Sequence, residues 1–581
     1  MTTFQNPILP GFHPDPSICR VGEDYFLVNS SFAYFPGVPL FHSRDLIHWR
    51  QIGYCLDRAS QLPLGRVGTS AGIFAPTIRY HEETFYMITT NISGGGNFYV
   101  TTRDPFGPWS DPIWVKQGGI DPSLFFDGDR VYLTSTGMTD DPEQKEQGIL
   151  QSEIDIATGL HTSPRLIWTG TGGAYPEGPH LYRLGDTYYL MIAEGGTEYG
   201  HTEVIARSDS PWGPWESCPH NPILTHRSVH SPIHALGHAD MVEAHDGSWW
   251  AVCLGIRPNT QAHHLGRETF LAPVHWDENG WPSTGKAGRL ELEMEAPRLT
   301  PVHWPRPAER DDFDAPQLAL KWNFLGNPQP EAFSLTREPG SLCLQGNAMR
   351  LDDGPGVVFV GCRQEHFNCE GTTALCFSPV NEGEEAGMTV WMDARHHYDL
   401  SITLEGGKRL VQVRRRIGSL GAVVAREEIS GGEVTLIVRA NRLFYTFAIF
   451  VGGVERMLAT GETRYLSTEV ATGFTGVYFA LFASGNGEPS VSPAYFDWFE
   501  YRDLEQPGCL SIDSSITDLL KNEEAKGILG EWLPELVAHP PIAWEANFSL
   551  VALSAMFPER IPPEKLLGVD AALRAARIAG G

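Results

Sequence analysis

One motif recurs five times in the first half of the chain, as PDPSICRVGEDYFLV, FAPTIRYHEETFYMI, IDPSLFFDGDRVYLT, PEGPHLYRLGDTYYLM and GHADMVEAHDGSWWAV. Each copy reads as a short apolar strand, a polar turn and an aromatic strand. The second strands align on Phe26, Tyr86, Tyr132, Tyr189 and Trp250, and the first strands open on Asp15, Ala75, Asp121, Glu177 and the pair His238-Ala239. The spacing, roughly 45–60 residues, suits a four-stranded propeller blade rather than a helical repeat. Copies set around an axis bring equivalent positions together, so three carboxylates far apart in sequence are expected to converge.

A second segment repeats out of phase with the first. HSRDLIHW, TTRDPFGPW and ARSDSPWGPW each end a polar turn on a tryptophan (Trp49, Trp109, Trp215). Strand–turn–strand patterning with Gly, Asp and Pro at the turns runs to about residue 300. Beyond the Pro-rich, charged stretch EMEAPRLTPVHWPRPAERDDFDAP the repeat stops. Short alternating runs such as SLCLQ, MTVWMDA and LFYTFAIFV then predict a β-sandwich. From about residue 508, Ile516, Leu519 and Leu520, then Ile528, Leu529, Trp532 and Leu533, recur at helical spacing. The expected organisation is all-β with a helical end: a five-bladed propeller over 1–305, a sandwich over 306–504 and a small α-helical appendage over 505–581, the last a packing or assembly element.

Charge narrows the partners. Lys and Arg number 43 against 71 Asp and Glu, a net charge of -28, which disfavours nucleic acid and anionic membranes. The 9 cysteines are scattered without a CxxC pair, which argues for buried free thiols over a disulfide framework or zinc knuckle. No basic segment followed by an apolar run opens the chain and no apolar stretch is long enough to span a bilayer. The expectation is a cytoplasmic protein, although a chain trimmed of a secretion signal reads the same way. His226, His230, His234 and His238 fall four apart, but Pro232 and Gly237 break the helix that zinc binding would need, so most are read as loop residues.

Asp-Pro and Glu-Gly-Pro are ordinary turn chemistry when isolated. Here the carboxylates share a repeat position at the start of apolar strands, where an unpaired charge is costly. Like charges at close range push one carboxyl upward, as burial does, so one group keeps a proton while another stays ionised. Glycosidic hydrolysis needs such a pair, a donor for the leaving oxygen and a base for water on the opposite face of the sugar.

NPILPGFHPDPSI, SFAYFPGVPLFHSRDLIHW, IDPSLFFD, YPEGPHLY, AEGGT, GHADMVE and LGRET together resemble family 43 glycoside hydrolases, most of all the two-domain β-xylosidases and α-L-arabinofuranosidases. The resemblance covers residue 1 to about 504. It implies inverting, exo-acting release of D-xylose from the non-reducing ends of β-1,4-xylooligosaccharides, with α-L-arabinofuranose as a further or even main substrate. It places the general base on Asp15, the general acid on Glu177 and the carboxylate that orients the acid on Asp121, with Glu177 expected to hold the proton. It also implies sugar contacts from Arg267, Phe32 and Phe74, a sandwich residue, Phe474, at the pocket mouth, and His238 near the acid. Some relatives carry Trp at Phe74 and Thr at Glu198. No cofactor is required by this reading. A central calcium beside His238 and a homo-oligomer are both left open. Two rivals remain at this stage: a carbohydrate-binding protein with a dead site, and a fructan-acting enzyme suggested by Arg103-Asp104-Pro105.

Overall fold

The computed structural model describes residues 3–65, 67–138, 147–506, 508–540 and 548–579. Five antiparallel sheets follow one another along the first half of the chain, four of them four-stranded and the fourth five-stranded. Their first strands are Ser17–Val21, Thr77–His81, Ile120–Asp127, Glu177–Leu184 and His234–Glu243. These pack side by side in chain order, and the fifth returns to the first, so the sheets close a ring with their first strands innermost. Thr3–Gln5 pairs with Glu293–Glu295, which ties the start of the propeller to its end. Ring closure removes the exposed edges that a lone blade would present.

The first strands alternate poorly because both faces are covered, one by each neighbouring blade. The aromatics of the second strands supply the filling: Phe26, Tyr132, Tyr189 and Trp250 are all buried. The HSRDLIHW-type segments are turns, as their composition suggests. Asp45, itself buried, accepts hydrogen bonds from the backbone of Ile47 and His48 at 2.9 and 2.7 Å and from Val302 at 2.7 Å. Asp104 of the RDP segment likewise accepts from Phe106 N at 3.0 Å. A solvated turn is all that this segment forms.

The second half folds into two eight-stranded antiparallel sheets packed over a core that includes Met388, Phe447, Phe479, Phe496 and Phe499. The propeller contributes to one of them. Tyr34–Phe35, from the first blade, pairs with Asn323–Leu325 and becomes the outermost strand of that sheet. Phe12 and Phe32 of the propeller share a core with Phe359, Trp391 and Tyr478 of the sandwich, and the Tyr34 and Tyr478 rings stack at 4.1 Å. Such continuous apolar burial couples the two domains far more firmly than a polar interface does.

One buried network in the sandwich has a pH consequence. The His397 ring lies between Asp399 (2.9 Å) and Asp352 (3.1 Å), and Arg414 Nε donates to Asp399 at 2.8 Å. Burial opposes a charge on His397, but the Asp399 carboxylate and the hydrogen bonds to Asp352 and Asp399 outweigh it and raise its pKa to about 9. A histidine whose folded pKa is raised stabilises the fold fully below its unfolded pKa, and that contribution is lost as pH rises through the folded value. Wild type should therefore exceed His397→Gln in stability by roughly 3 kcal/mol in mildly acidic buffer. The gap should close as pH rises through about 9. Denaturant titrations of both proteins across that range measure it, and a gap independent of pH contradicts the assignment.

The chain ends in helices Ile516–Lys521, Glu523–Trp532, Pro534–Ala538, Leu550–Met556 and Pro563–Ala576. Ser515, Asn522 and Ser549 cap three of them with side-chain oxygens, each cap satisfying backbone donors that helices leave free. The helices have a small core of their own around Leu519, Leu529, Leu550, Leu566 and Leu573. They dock on the sandwich through Arg442–Asp513 at 2.7 Å and Asn441–Asp570 at 3.1 Å. No helix among the described residues is long and apolar enough to cross a membrane. All 9 cysteines are free, and only Cys376 is exposed.

Candidate active site

The three aligned carboxylates meet at one end of the propeller axis. Their backbone explains how. Asp15, Asp121 and His238, which occupy equivalent repeat positions, all have left-handed φ values of 51°, 53° and 50°. Such values are uncommon for residues with a Cβ and collect at functional sites. Register shifts mark the same places, between Ile120 and Ser123, between Glu177 and His180, and on both sides of Gly237, the residue before His238. A bulge re-aims a side chain that regular pleating would send into a neighbouring blade. In the fourth blade the left-handed residue is Gly178 (φ 59°), directly after Glu177. A Cβ there would meet the His238 ring at 3.1 Å, so glycine both permits the turn and makes room for the histidine.

Asp15 is buried and held by two donors. Arg267 reaches its Oδ1 at 2.6 Å and its Oδ2 at 3.4 Å, and Ser30 Oγ donates to Oδ2 at 2.5 Å. The paired guanidinium satisfies a carboxylate that would otherwise be expensive to bury. Asp121 is also buried and, among the described residues, accepts only from Gly178 N, at 3.3 Å. Burial, then the nearby Glu177 and Asp15 charges, push its carboxyl well above the ordinary range. Asp121 and Glu177 are thus close enough for the Glu177 charge to act on the Asp121 carboxyl. Glu177 is the most open of the three, with its side chain 20% exposed, and its Oε1 lies 3.6 Å from Nε2 of the fully buried His201. His201 Nδ1 lies 3.1 Å from the carbonyl of Ala235, which fixes the ring. Burial lowers the His238 pKa, against the raising effect of Asp15 and Glu177, so His238 is a neutral neighbour of the cluster.

The structure brings the remaining sequence-predicted residues together beside Asp15. The Phe32 ring is 5.2 Å from Phe74 and 6.0 Å from Phe474, and Phe74 and Phe474 are also 6.0 Å apart. The Arg267 guanidinium carbon sits 5.6 Å from both the Phe32 and Phe474 centroids, and its Nη2 donates to the Phe474 carbonyl at 3.3 Å. Phe474 belongs to the sandwich, and its backbone N–H donates to Ser70 of the propeller at 2.9 Å. The second domain therefore packs against one side of the site. Glu198 is exposed, and it is the preceding Thr197 whose hydroxyl lies 3.5 Å from Arg267.

Beneath this cluster lies a polar plug that sequence reading missed. Arg79 donates to both oxygens of Asp240 at 2.7 and 3.2 Å and lies 2.9 Å from His180 Nδ1. Ser17 and Tyr182 donate to the same aspartate at 2.7 and 2.8 Å, and Ser123 lies 3.1 Å from His180. All five blades contribute. Burial opposes the Asp240 charge, yet Arg79 beside it holds its pKa below the usual carboxylate range, while burial drives His180 down to about 3. The available signal was an arginine and an aspartate in strands with otherwise apolar inner ends. His226 and His230 are loop residues as expected, and His238 lies in the fifth blade's first strand as its repeat position implies, but that strand already begins at His234. Among the described residues no group of three or more His, Cys, Asp or Glu side chains could hold a metal ion.

A five-bladed propeller that gathers three carboxylates, with Phe474 of a sandwich domain packed beside them, has the architecture of a glycosidase. Residues 4–282 match the family model for glycosyl hydrolases family 43, and residues 310–502 match that for the beta xylosidase C-terminal concanavalin A-like domain. The chain is 46% identical over 511 residues to the non-reducing end alpha-L-arabinofuranosidase BoGH43B of Bacteroides ovatus, covering 87% of this chain and 95% of that one. It is 38% identical over 521 residues to a xylosidase/arabinosidase of Butyrivibrio fibrisolvens, covering 87% and 100%. The crystal structure of a xylan beta-1,4-xylosidase from Bacillus halodurans superposes with a TM-score of 0.82 at 36% identity, over 86% of this chain and 100% of that one. The chain belongs to glycosyl hydrolase family 43. The helical end lies outside both family matches.

Proposed function

We propose that the protein is an exo-acting, inverting glycosidase that removes single terminal pentoses, both α-L-arabinofuranose and β-1,4-linked D-xylose, from the non-reducing ends of oligosaccharides. The observation that carries this reading is the separation of roles across the ring. Asp15 is tied to Arg267 and Ser30 on blade one, and Glu177 stands on blade four beside the buried Asp121. Blade five lies between blades one and four on the short side of the ring, which leaves space for water under the sugar.

In this reading Asp15 is the base. Its pairing with Arg267 keeps the carboxylate ionised and aimed, while Arg267 also meets sugar hydroxyls. Glu177 is the acid that donates to the leaving oxygen. Asp121, buried beside Glu177 where its own charge is disfavoured, orients the acid. Water attacks the anomeric carbon from the Asp15 side as the glycosidic bond breaks. Asp15 takes the water proton, and Glu177 gives its own to the departing alcohol. Phe32, Phe74 and Phe474 cover the apolar face of the ring, and the Phe474 wall favours chain ends over chain interiors.

Arabinofuranose is placed first, ahead of the xylose that the sequence motifs favour. Two observations support this order: the 46% identity to an arabinofuranosidase, and a phenylalanine at residue 74 where some xylosidases carry a broader tryptophan. The p-nitrophenyl α-L-arabinofuranoside should be cleaved with the higher kcat/KM and the β-D-xyloside at a measurable lower rate. Turnover of the xyloside alone contradicts the order, and turnover of neither contradicts the proposal.

A further inference from the structure

An exposed tyrosine stands two residues before Glu177. Tyr175 is 60% exposed and has a left-handed backbone (φ 54°), a conformation that is costly for an aromatic residue. The loop that carries it is built with care. Glu194, only 3% exposed, accepts from the Thr171 backbone N–H and, at 2.6 Å, from the Thr171 hydroxyl. The Ala174 carbonyl accepts from Gly195 N at 2.6 Å. A buried carboxylate spent on a surface loop fixes that loop's shape.

The Tyr175 ring rests on Gly196, where an added Cβ would lie 3.1 Å from it. The next residue, Thr197, reaches Arg267, which holds Asp15. The ring therefore sits at the rim of the cavity, two residues from Glu177. Neighbouring Tyr199 differs, because its ring leans on His234 at 5.3 Å.

The acid's position fixes where the leaving group goes. A leaving oxygen must come within hydrogen-bond reach of Glu177, so the alcohol portion of the substrate departs past the Glu177 rim. A rigid, solvent-facing aromatic there has the chemistry to cover the C–H face of a pyranose, and a preformed loop lowers the entropy cost of doing so. From this geometry we infer that Tyr175 is the platform for the first sugar of the leaving group, and that it makes the enzyme prefer a sugar to a simple alcohol in that position. The inference rests on the activity proposed above and adds the recognition of the leaving portion.

Tyr175→Gly is the informative variant, because glycine removes the ring and also relieves the left-handed backbone. The comparison is kcat/KM for xylobiose against methyl β-D-xyloside, and for an arabinofuranosyl-xylobiose against methyl α-L-arabinofuranoside. The glycine variant should lose about tenfold on the oligosaccharides and stay within about twofold on the methyl glycosides. Tyr175→Trp should retain the wild-type ratio. An equal loss on both substrate types, or no loss on either, overturns the platform while leaving the activity intact. Wild-type failure on all four glycosides overturns the activity and this inference with it. Retained turnover of the methyl glycosides also shows that the variant is folded.

Discussion

Glu177→Gln is expected to cut kcat on xylobiose and on arabinosylated oligosaccharides by about 10³-fold, within the range that a general acid supplies. The amide keeps the size and polarity of the acid but has no proton to give. Glu177 is partly exposed and its ion-pair partner among the described residues is His201 at 3.6 Å, so the fold should tolerate the change. Binding should survive, because Arg267 and the phenylalanine wall are untouched, and titration with xylose or arabinose should give an affinity within a few-fold of wild type. The loss should shrink sharply on aryl glycosides, whose leaving group departs without protonation. An equal loss on both classes would mean that Glu177 acts in binding rather than as an acid. A protein with a dead site that only binds carbohydrate would show no activity to lose.

Arg267→Ala should damage stability and turnover together. The guanidinium is buried, forms both contacts to Asp15 and spans to Thr197 and to the Phe474 carbonyl. Removing it leaves a buried carboxylate without its cation, which typically costs about 3–5 kcal/mol. Catalysis should fall by about 100-fold or more in kcat/KM, since a cation is lost from the site of reaction. Arg267→Lys should recover part of the stability and little of the rate, because a single ammonium cannot hold both carboxylate oxygens and the carbonyl in one plane. Unchanged melting of Arg267→Ala would show that Asp15 has another partner.

The propeller was legible because its repeat is written in residue types that only strands and turns use together, and because ring closure leaves few alternatives for five such units. The positions of Asp15, Asp121 and Glu177 were legible for the same reason, since equivalent residues in a ring converge. What the repeat does not encode is the local departure from it. The left-handed backbone at Asp15, Asp121 and His238 and the bulges around Asp121 and Glu177 arise from tertiary packing. Sequence periodicity predicts regular pleating instead. His234 was read as a loop residue because Pro232 precedes it, yet the fifth blade's first strand begins there.

Long-range pairing was also hidden. Nothing near Arg79 in sequence names Asp240 as its partner, and nothing in Tyr34–Phe35 says that this propeller segment will join a sandwich sheet. The pattern of apolar residues fixes which faces are covered and leaves open what covers them. Tyr175 shows the same limit. In the sequence it is one aromatic before a Pro-Glu-Gly turn. Only its exposure, its backbone and the Glu194 clamp distinguish it from a core residue.

The central claim is that Asp15 and Glu177 act from opposite sides of one sugar with a water between them. Proton NMR of the first product released tests it directly. Hydrolysis of xylobiose or an aryl β-D-xyloside should release α-D-xylose first, before mutarotation mixes the anomers. Initial appearance of the β-anomer would mean that a carboxylate attacks the sugar itself, and would remove Asp15 as the base that activates water.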